Sequence, residues 1–356
     1  MGKRSDWGFP VKMSCACAAL LTVIWTPLAR AQSAEEFYSG RTMTMYVPSG
    51  SGGINDASGR LVARHLPKFM PGSPTFVVQN VPGAGGLTLA NRLFTTLPRD
   101  GSVLSILQRG TAQLAIAGEP AARFDPLELT WLGSISSYQD DVYLLIVNRE
   151  FAAQSLDDLK VSGGPTARLG ASGPGATNRT FPLIARTLFG LRLEVVRGYT
   201  GAPAISLAQL GREVDGQVTS LSYLKANQAS EWKAKEMRAL LAFGRTTRHP
   251  ELPDVPTAYE LIGDERAKAL LKFAELPFYM AMPVAAPPKI PEDRRNALVR
   301  AFNEMVANLD FVNEGNKLHL DMSPISAEAL TRIIADATST PPEIVARYNA
   351  IAGEKQ

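Results

Sequence analysis

The sequence predicts an α/β protein of two lobes, each a mainly parallel sheet flanked by helices. Three observations predict it. Short apolar runs of strand length alternate with segments of helical spacing from residue 42 onward. The alternation occurs in two successive series, each with a glycine loop at the end of a strand. At 356 residues, the chain is long enough for about two domains.

The first series starts with "TMTMYVP" (42–48), a strand, followed by the glycine-rich "SGSGG". "DASGRLVARHLPKF" (56–69) then reads as a helix with Ala57, Leu61, Val62 and Leu66 on one face and Asn55 or Asp56 as N-cap. Pro71-Gly72 turns the chain into the strand "TFVVQN" (75–80). A second glycine loop, "VPGAGG" (81–86), leads to a helix bearing Leu89, Leu93 and Leu97, and Asp100-Gly101 leads to the strand "SVLSILQ" (102–108). This β-α-β-α-β order implies parallel strands with right-handed crossovers. Both glycine loops and "QRG" (108–110) then lie at strand carboxyl ends, where open α/β sheets bind ligands.

The second series repeats the pattern. "DVYLLIVN" (141–148) is a strand, and Ser155 to Asp158 has the form of a capping box before a short helix. "ARLGASGPGATNRTFPLIARTLFG" (167–190) gives strand, glycine loop and helix, with Pro182 confined to or near the first turn. "RLEVVRGY" and "GQVTSL" are strands, separated by the helix "PAISLAQL". "YLKANQASEWKAK" is a single helix and "MRALLAF" a strand. Beyond it, "FYMAMPVAAPP" (278–288) is one more strand. A helix follows Pro291, its buried stripe formed by Ala297, Leu298, Phe302, Met305 and Val306. The expected division is 32–140 with 251–356 in the first lobe and 141–250 in the second.

Residues 1–31 read as a secretory signal peptide. Lys3, Arg4 and Lys12 precede an apolar stretch too short to span a bilayer comfortably, Pro27 interrupts it, and Ala29-Arg30-Ala31 is an A-x-A cleavage site. The expected destination is outside the cytoplasm. Removal of this leader takes away Lys3, Arg4, Lys12, Arg30 and Asp6, so the precursor's net charge of +3 falls to about zero. That gives no support to nucleic acid or anionic membranes as partners. Both cysteines, Cys15 and Cys17, leave with the leader, which excludes a disulfide, a thiol nucleophile or a cysteine metal site in the mature chain. The three histidines, His65, His249 and His319, lack metal-ligand spacing, so no metal and no cofactor is expected.

The series "VPSGSGGIND", "QNVPGAGG", "LPRDG", "GASGPGATN", "RGYTGAPAISLAQLGREVD", "MRALLAFG" and "LPDVPT" occurs in order from about Tyr38 to the C-terminus. In this the chain resembles the tripartite tricarboxylate transporter receptors, the TctC or Bug family of periplasmic solute-binding proteins. The resemblance implies a type II periplasmic-binding fold, a Venus flytrap whose cleft binds a small organic carboxylate through main-chain amides and hydroxyls of facing loops. It also implies delivery to the membrane subunits of a tripartite transporter, a monomer, and no enzymatic activity. The chain departs from many relatives at Thr200, Thr219 and Arg179, where Lys, Asp and His are frequent, so its cleft polarity differs from theirs.

The ligand-binding candidates are Ser49, Gly50, Ser51, Gly52, Gly53, Asn55 and Asp56 in the first loop, and Gly85 in the second. Arg109 follows the third strand at the expected cleft lip, suited to clamp a carboxylate. Ser172, Gly173, Thr177 and Asn178 form the facing loop, joined by Tyr199 and Thr219; Arg179 is a further cation nearby. Gly83 to Gly86 also fit a purely structural role in close helix–strand packing, and Asp56 fits a simple N-cap. Two alternatives stay open. One is a ligand-sensing module for a signalling partner. The other is a periplasmic hydrolase with Ser172 as nucleophile, since "GASGP" approaches the G-x-S-x-G elbow except at Pro174.

Overall fold

A computed structural model of the protein describes residues 32–138, 141–173 and 175–353. The signal peptide expected at 1–31, and Pro174, lie outside them. In the first series a short helix α1 (Ala34–Tyr38) precedes β1 (Thr42–Val47), α2 (Ile54–His65), β2 (Thr75–Asn80), α3 (Leu87–Thr95), β3 (Val103–Ile106), α4 (Thr111–Ile116) and β4 (Thr130–Ser134). The second series is β5 (Tyr143–Asn148), β6 (Ala167–Ala171), α5 (Thr177–Phe189), β7 (Leu193–Arg197), α6 (Ala202–Leu210), β8 (Gly216–Ser220), α7 (Leu221–Asn227), α8 (Ala229–Lys233) and β9 (Met237–Phe243). The chain closes with α9 (Ala258–Leu261), α10 (Glu265–Ala274), α11 (Leu276–Tyr279), β10 (Pro283–Ala286), α12 (Glu292–Val306), α13 (Leu309–Lys317), β11 (Ile325–Ser326), α14 (Ala327–Thr338) and α15 (Pro342–Ala352).

Two sheets result, ordered β11-β4-β10-β3-β1-β2 and β7-β6-β8-β5-β9. β1 pairs in parallel with β2 and β3, and β6 with β7 and β8, as the β-α-β pattern requires. Both sheets are mixed, with most strands of each running one way. β10 runs antiparallel between β3 and β4, and β5 antiparallel between β8 and β9. These two strands are the ones the chain enters on crossing from one sheet to the other. β4 runs into β5 without an intervening helix, whereas α9, α10 and α11 intervene between β9 and β10.

Apolar side chains cover both faces of each sheet. Met43, Met45, Leu104, Leu298 and Phe302 pack on one face of the first sheet, and Leu89, Leu93, Trp131 and Leu330 on the other. Leu145, Val147, Leu169, Ile184 and Phe243 form the main core of the second, with Leu144, Ile146 and Leu224 behind it. The C-terminal segments divide between the two. α12 and α14 pack on the first sheet, whereas Ala258, Leu270, Leu271, Phe273 and Phe278 from α9 to α11, and Ile344, Tyr348 and Ile351 from α15, join the second core.

Three local differences have physical causes. The expected helix over 223–235 breaks at Gln228, whose buried side-chain oxygen accepts from Ser206 Oγ (3.1 Å) and Gln217 Nε2 (3.3 Å). Phe278 and Tyr279 are helical rather than extended: Pro277 sits in the first turn of α11, where a missing N–H is harmless, and Phe278 stacks between Tyr143 and Phe181. At Ser155 and Asp158 the reciprocal cap bonds form, 2.9 and 3.3 Å, yet only turns follow.

Candidate functional site

The chain crosses between the sheets after β4, and Asp321 anchors that crossing. Its carboxylate accepts from Ser136 Oγ at 2.6 Å and from the Tyr138 backbone N–H at 3.1 Å, while Ser137 Oγ donates to the Ser323 carbonyl at 2.8 Å. Tyr138 has φ of 48°, a left-handed conformation uncommon outside glycine and held here by its neighbours. Asp141, buried, accepts from the Ser222 N–H at 3.0 Å and Ser222 Oγ at 2.5 Å, tying the crossing to α7. At the return crossing Glu275 is fully buried and accepts from the Gly244 N–H (2.7 Å) and Tyr279 hydroxyl (3.0 Å). Burial raises its pKa to about 7, only partly offset by those donors and by Tyr259.

Beside these crossings lies a cavity of about 1160 Å³. Gly85, Gln108 and Arg109 contribute from the first sheet's strand ends, Thr177, Asn178 and Thr219 from the second's, and Tyr138 and Tyr143 from between. Arg109, half-buried, spans the gap. Its Nη1 donates to the Tyr143 hydroxyl at 2.9 Å and its Nη2 to Thr177 Oγ1 at 3.2 Å, and its guanidinium carbon lies 5.5 Å from the ring centres of both Tyr138 and Tyr143. Burial works against its charge, but the surrounding tyrosine hydroxyls outweigh it and the pKa lies above the ordinary arginine value. Arg109 thus reaches across the cleft rather than sitting at its lip.

The other predicted residues fall into two groups. Gly85, Thr177, Asn178 and Thr219 line the cavity with Arg109. Ser49, Gly50, Ser51, Gly52, Gly53, Asn55, Asp56, Ser172, Gly173 and Tyr199 are not among its lining residues, although Ile54, at the start of α2, is. In the first glycine loop the Gly52 N–H is taken up internally. Asp56 is buried beneath it, accepting from the Gly52 N–H (2.9 Å), Arg60 Nε (3.0 Å) and Asn80 Nδ2 (2.9 Å). The Arg60 contact first, with the Gly52 and Asn80 donors, lowers the Asp56 pKa to about 2 despite burial. The cap of α2 is Gly53, not Asn55 or Asp56, and Asn55 Nδ2 instead donates to Gln108 Oε1 at 2.6 Å. Gly52 is the loop residue with positive φ (87°); Gly53 has φ of −86°, which any residue adopts.

In the facing loop Asn178 folds back on Ser172, accepting from its N–H (3.0 Å) and donating to its Oγ (3.1 Å). Arg179 is buried on α5, and Tyr199 lies near Glu213, with burial and then that carboxylate raising its pKa. In the second loop a Cβ on Gly86 would lie 2.5 Å from the Gln108 Cβ, which is the close-packing role. Tyr138, Asp141, Tyr143, Tyr223, His249 and Tyr348 line the cavity without having been singled out in the sequence as binders. Among the described residues no group of three or more His, Cys, Asp or Glu is placed to hold a metal ion.

Comparison with known proteins adds the family context. No family model matches the chain. It is 28% identical over 248 residues to a UPF0065 protein of the TAR-I ttuE-ttuC' intergenic region of Agrobacterium vitis, covering 68% of this chain and 67% of that one. It is 26% identical over 351 residues to a UPF0065 protein of the tcbD-tcbE intergenic region of a Pseudomonas strain, covering 95% of each. Among solved structures it superposes on a TctC solute-binding protein from Polaromonas with a TM-score of 0.65 at 17% identity, covering 87% of this chain and 99% of that one. The chain has the TctC/Bug solute-binding-protein fold. The periplasmic binding protein BugD matches with a TM-score of 0.60 at 21% identity, covering 90% and 100%. An R. palustris protein with adipate matches with 0.61 at 21% identity, covering 88% and 97%. Arg109 bridges the cavity between residues of the two sheets.

Proposed function

We propose that the protein is a periplasmic receptor of the TctC/Bug family that binds a small organic carboxylate between its two lobes and delivers it to a tripartite tricarboxylate transporter. One observation carries the reading. Arg109 is a cation inside the cleft whose hydrogen-bond partners are neutral hydroxyls. Those of Tyr138, Tyr143 and Thr177 take at most three of its five N–H donors. A charge removed from water without a counter-ion is unfavourable, and a carboxylate is the planar anion that fits a guanidinium. The adipate-bound structural relative supports carboxylate chemistry in this fold.

The ligand meets both lobes at once. Arg109 approaches it from the first, Thr177, Asn178 and Thr219 from the second, so binding favours the closed arrangement. The serine-hydrolase alternative finds no support in the geometry: Ser172 Oγ takes its hydrogen bond from the Asn178 amide, which is no general base. Export follows from the leader, with cleavage after Ala31. A thermal-shift panel of carboxylates on protein taken from periplasmic extract tests the reading, because a ligand of the native state raises its melting point. Intact mass of the same material should begin at Gln32. No stabilisation by any carboxylate would remove the receptor reading, and a retained 1–31 segment would remove the export step.

A further inference from the structure

The charges and the rings around the cavity narrow the ligand class further. Five fixed charges line it: Arg109 and Lys225 against Asp141, Glu251 and Asp321. Lys225 is already committed, its Nζ 2.5 Å from Glu251. Asp141 and Asp321 add negative charge beside the crossing, and their donors are neutral. Among the described lining residues Arg109 is therefore the cation not paired with a carboxylate, and a second carboxylate would enter a field already set against it.

The surface next to that cation is aromatic. Tyr143 stacks on Phe278 (centroids 4.3 Å apart, planes at 18°), and Phe278 stacks on Phe181 (4.9 Å, 24°). The two outer rings of this column, Tyr143 and Phe181, line the cavity. Tyr138 meets Tyr143 edge-on at 5.7 Å, and Tyr223 lines the cavity from α7. The guanidinium carbon of Arg109 is 5.5 Å from both the Tyr138 and Tyr143 centroids. Tyr138 and Tyr143 therefore flank the guanidinium that would hold a carboxylate. Aromatic pairs at such spacing gain more than area burial alone provides.

We infer that the ligand is an aromatic acid carrying a single carboxylate, with the carboxylate on Arg109 and the ring against Tyr138, Tyr143 and Phe181. This rests on the receptor reading and specifies its substrate class. The test is calorimetric titration of the exported protein with benzoate, cinnamate, cyclohexanecarboxylate, terephthalate and adipate. Benzoate or cinnamate should bind at least tenfold more tightly than cyclohexanecarboxylate, which matches benzoate in size without a π-system, and than terephthalate and adipate, which add a charge. Tyr138→Leu, confirmed as folded by circular dichroism, should narrow the ratio of benzoate to cyclohexanecarboxylate affinity by about threefold or more, whereas Tyr138→Phe, which keeps the ring, should preserve that ratio. Tightest binding by adipate or terephthalate, or equal binding of benzoate and cyclohexanecarboxylate, overturns this inference and leaves the receptor reading standing. No binding by any of the five overturns this inference, and the receptor reading falls with it only if the thermal-shift panel of carboxylates is negative too.

Discussion

Glu275→Gln should flatten a pH dependence built into the return crossing. The carboxyl group is fully buried, and its hydrogen-bond partners, the Gly244 N–H and the Tyr279 hydroxyl, are neutral. Its pKa is raised from 4.5 to about 7 by burial. In the folded state the proton is thus bound more tightly than in the unfolded chain. The stabilising contribution is complete below pH 4.5 and is lost as pH rises through about 7, because the folded state must then hold a buried charge. At roughly 1.4 kcal/mol per pH unit, that interval corresponds to about 3 kcal/mol. Glutamine keeps a carbonyl acceptor for Gly244 and never ionises. Urea denaturation of parent and variant at pH 4.5, 6, 7 and 8 should show the variant gaining on the parent as pH rises, by about 3 kcal/mol across the series. A stability difference that stays constant from pH 4.5 to 8 would refute the reasoning.

Two further predictions concern the first glycine loop. Asp56→Ala removes the acceptor shared by Gly52, Arg60 and Asn80 and should lower stability by about 2–3 kcal/mol in chemical denaturation, while changing carboxylate affinity less than tenfold. Gly52→Val places a β-branched residue at φ of 87°, with open space around its Cβ, and should cost about 1–2 kcal/mol of stability from backbone strain alone. The same change at Gly53, with φ of −86°, should be tolerated in a thermal melt.

The repeated strand–loop–helix units are legible because their pattern is local. Alternating apolar runs, Pro71-Gly72 and Asp100-Gly101 turns and glycine-rich exits locate β1 to β3 to within a residue or two. Strand direction at the crossings is not local: nothing in "PVAA" says that β10 lies between β3 and β4. The candidate site shows the same limit. Arg109 stands out as a cation after a strand, but its partners Tyr143 and Thr177 are 34 and 68 residues away. The loop at 49–53 attracts attention by composition, yet the buried Asp56 behind it already takes the Gly52 N–H, which only tertiary geometry reveals. Tyr199, near a glycine turn, lies near Glu213, whereas Tyr138 and Tyr143 gain their place from the crossing that Asp321 fixes.

The most direct measurement is calorimetric titration of the strongest carboxylate from the thermal-shift panel into the parent and into Arg109→Ala, with folding of both checked by circular dichroism. Arg109 reaches across the cleft and lines the cavity, with N–H donors beyond the two given to Tyr143 and Thr177. Losing one or two charge-assisted hydrogen bonds should remove about 2–4 kcal/mol of binding, a weakening of roughly 30- to 1,000-fold. A folded Arg109→Ala protein that binds the carboxylate within threefold of the parent would contradict the account.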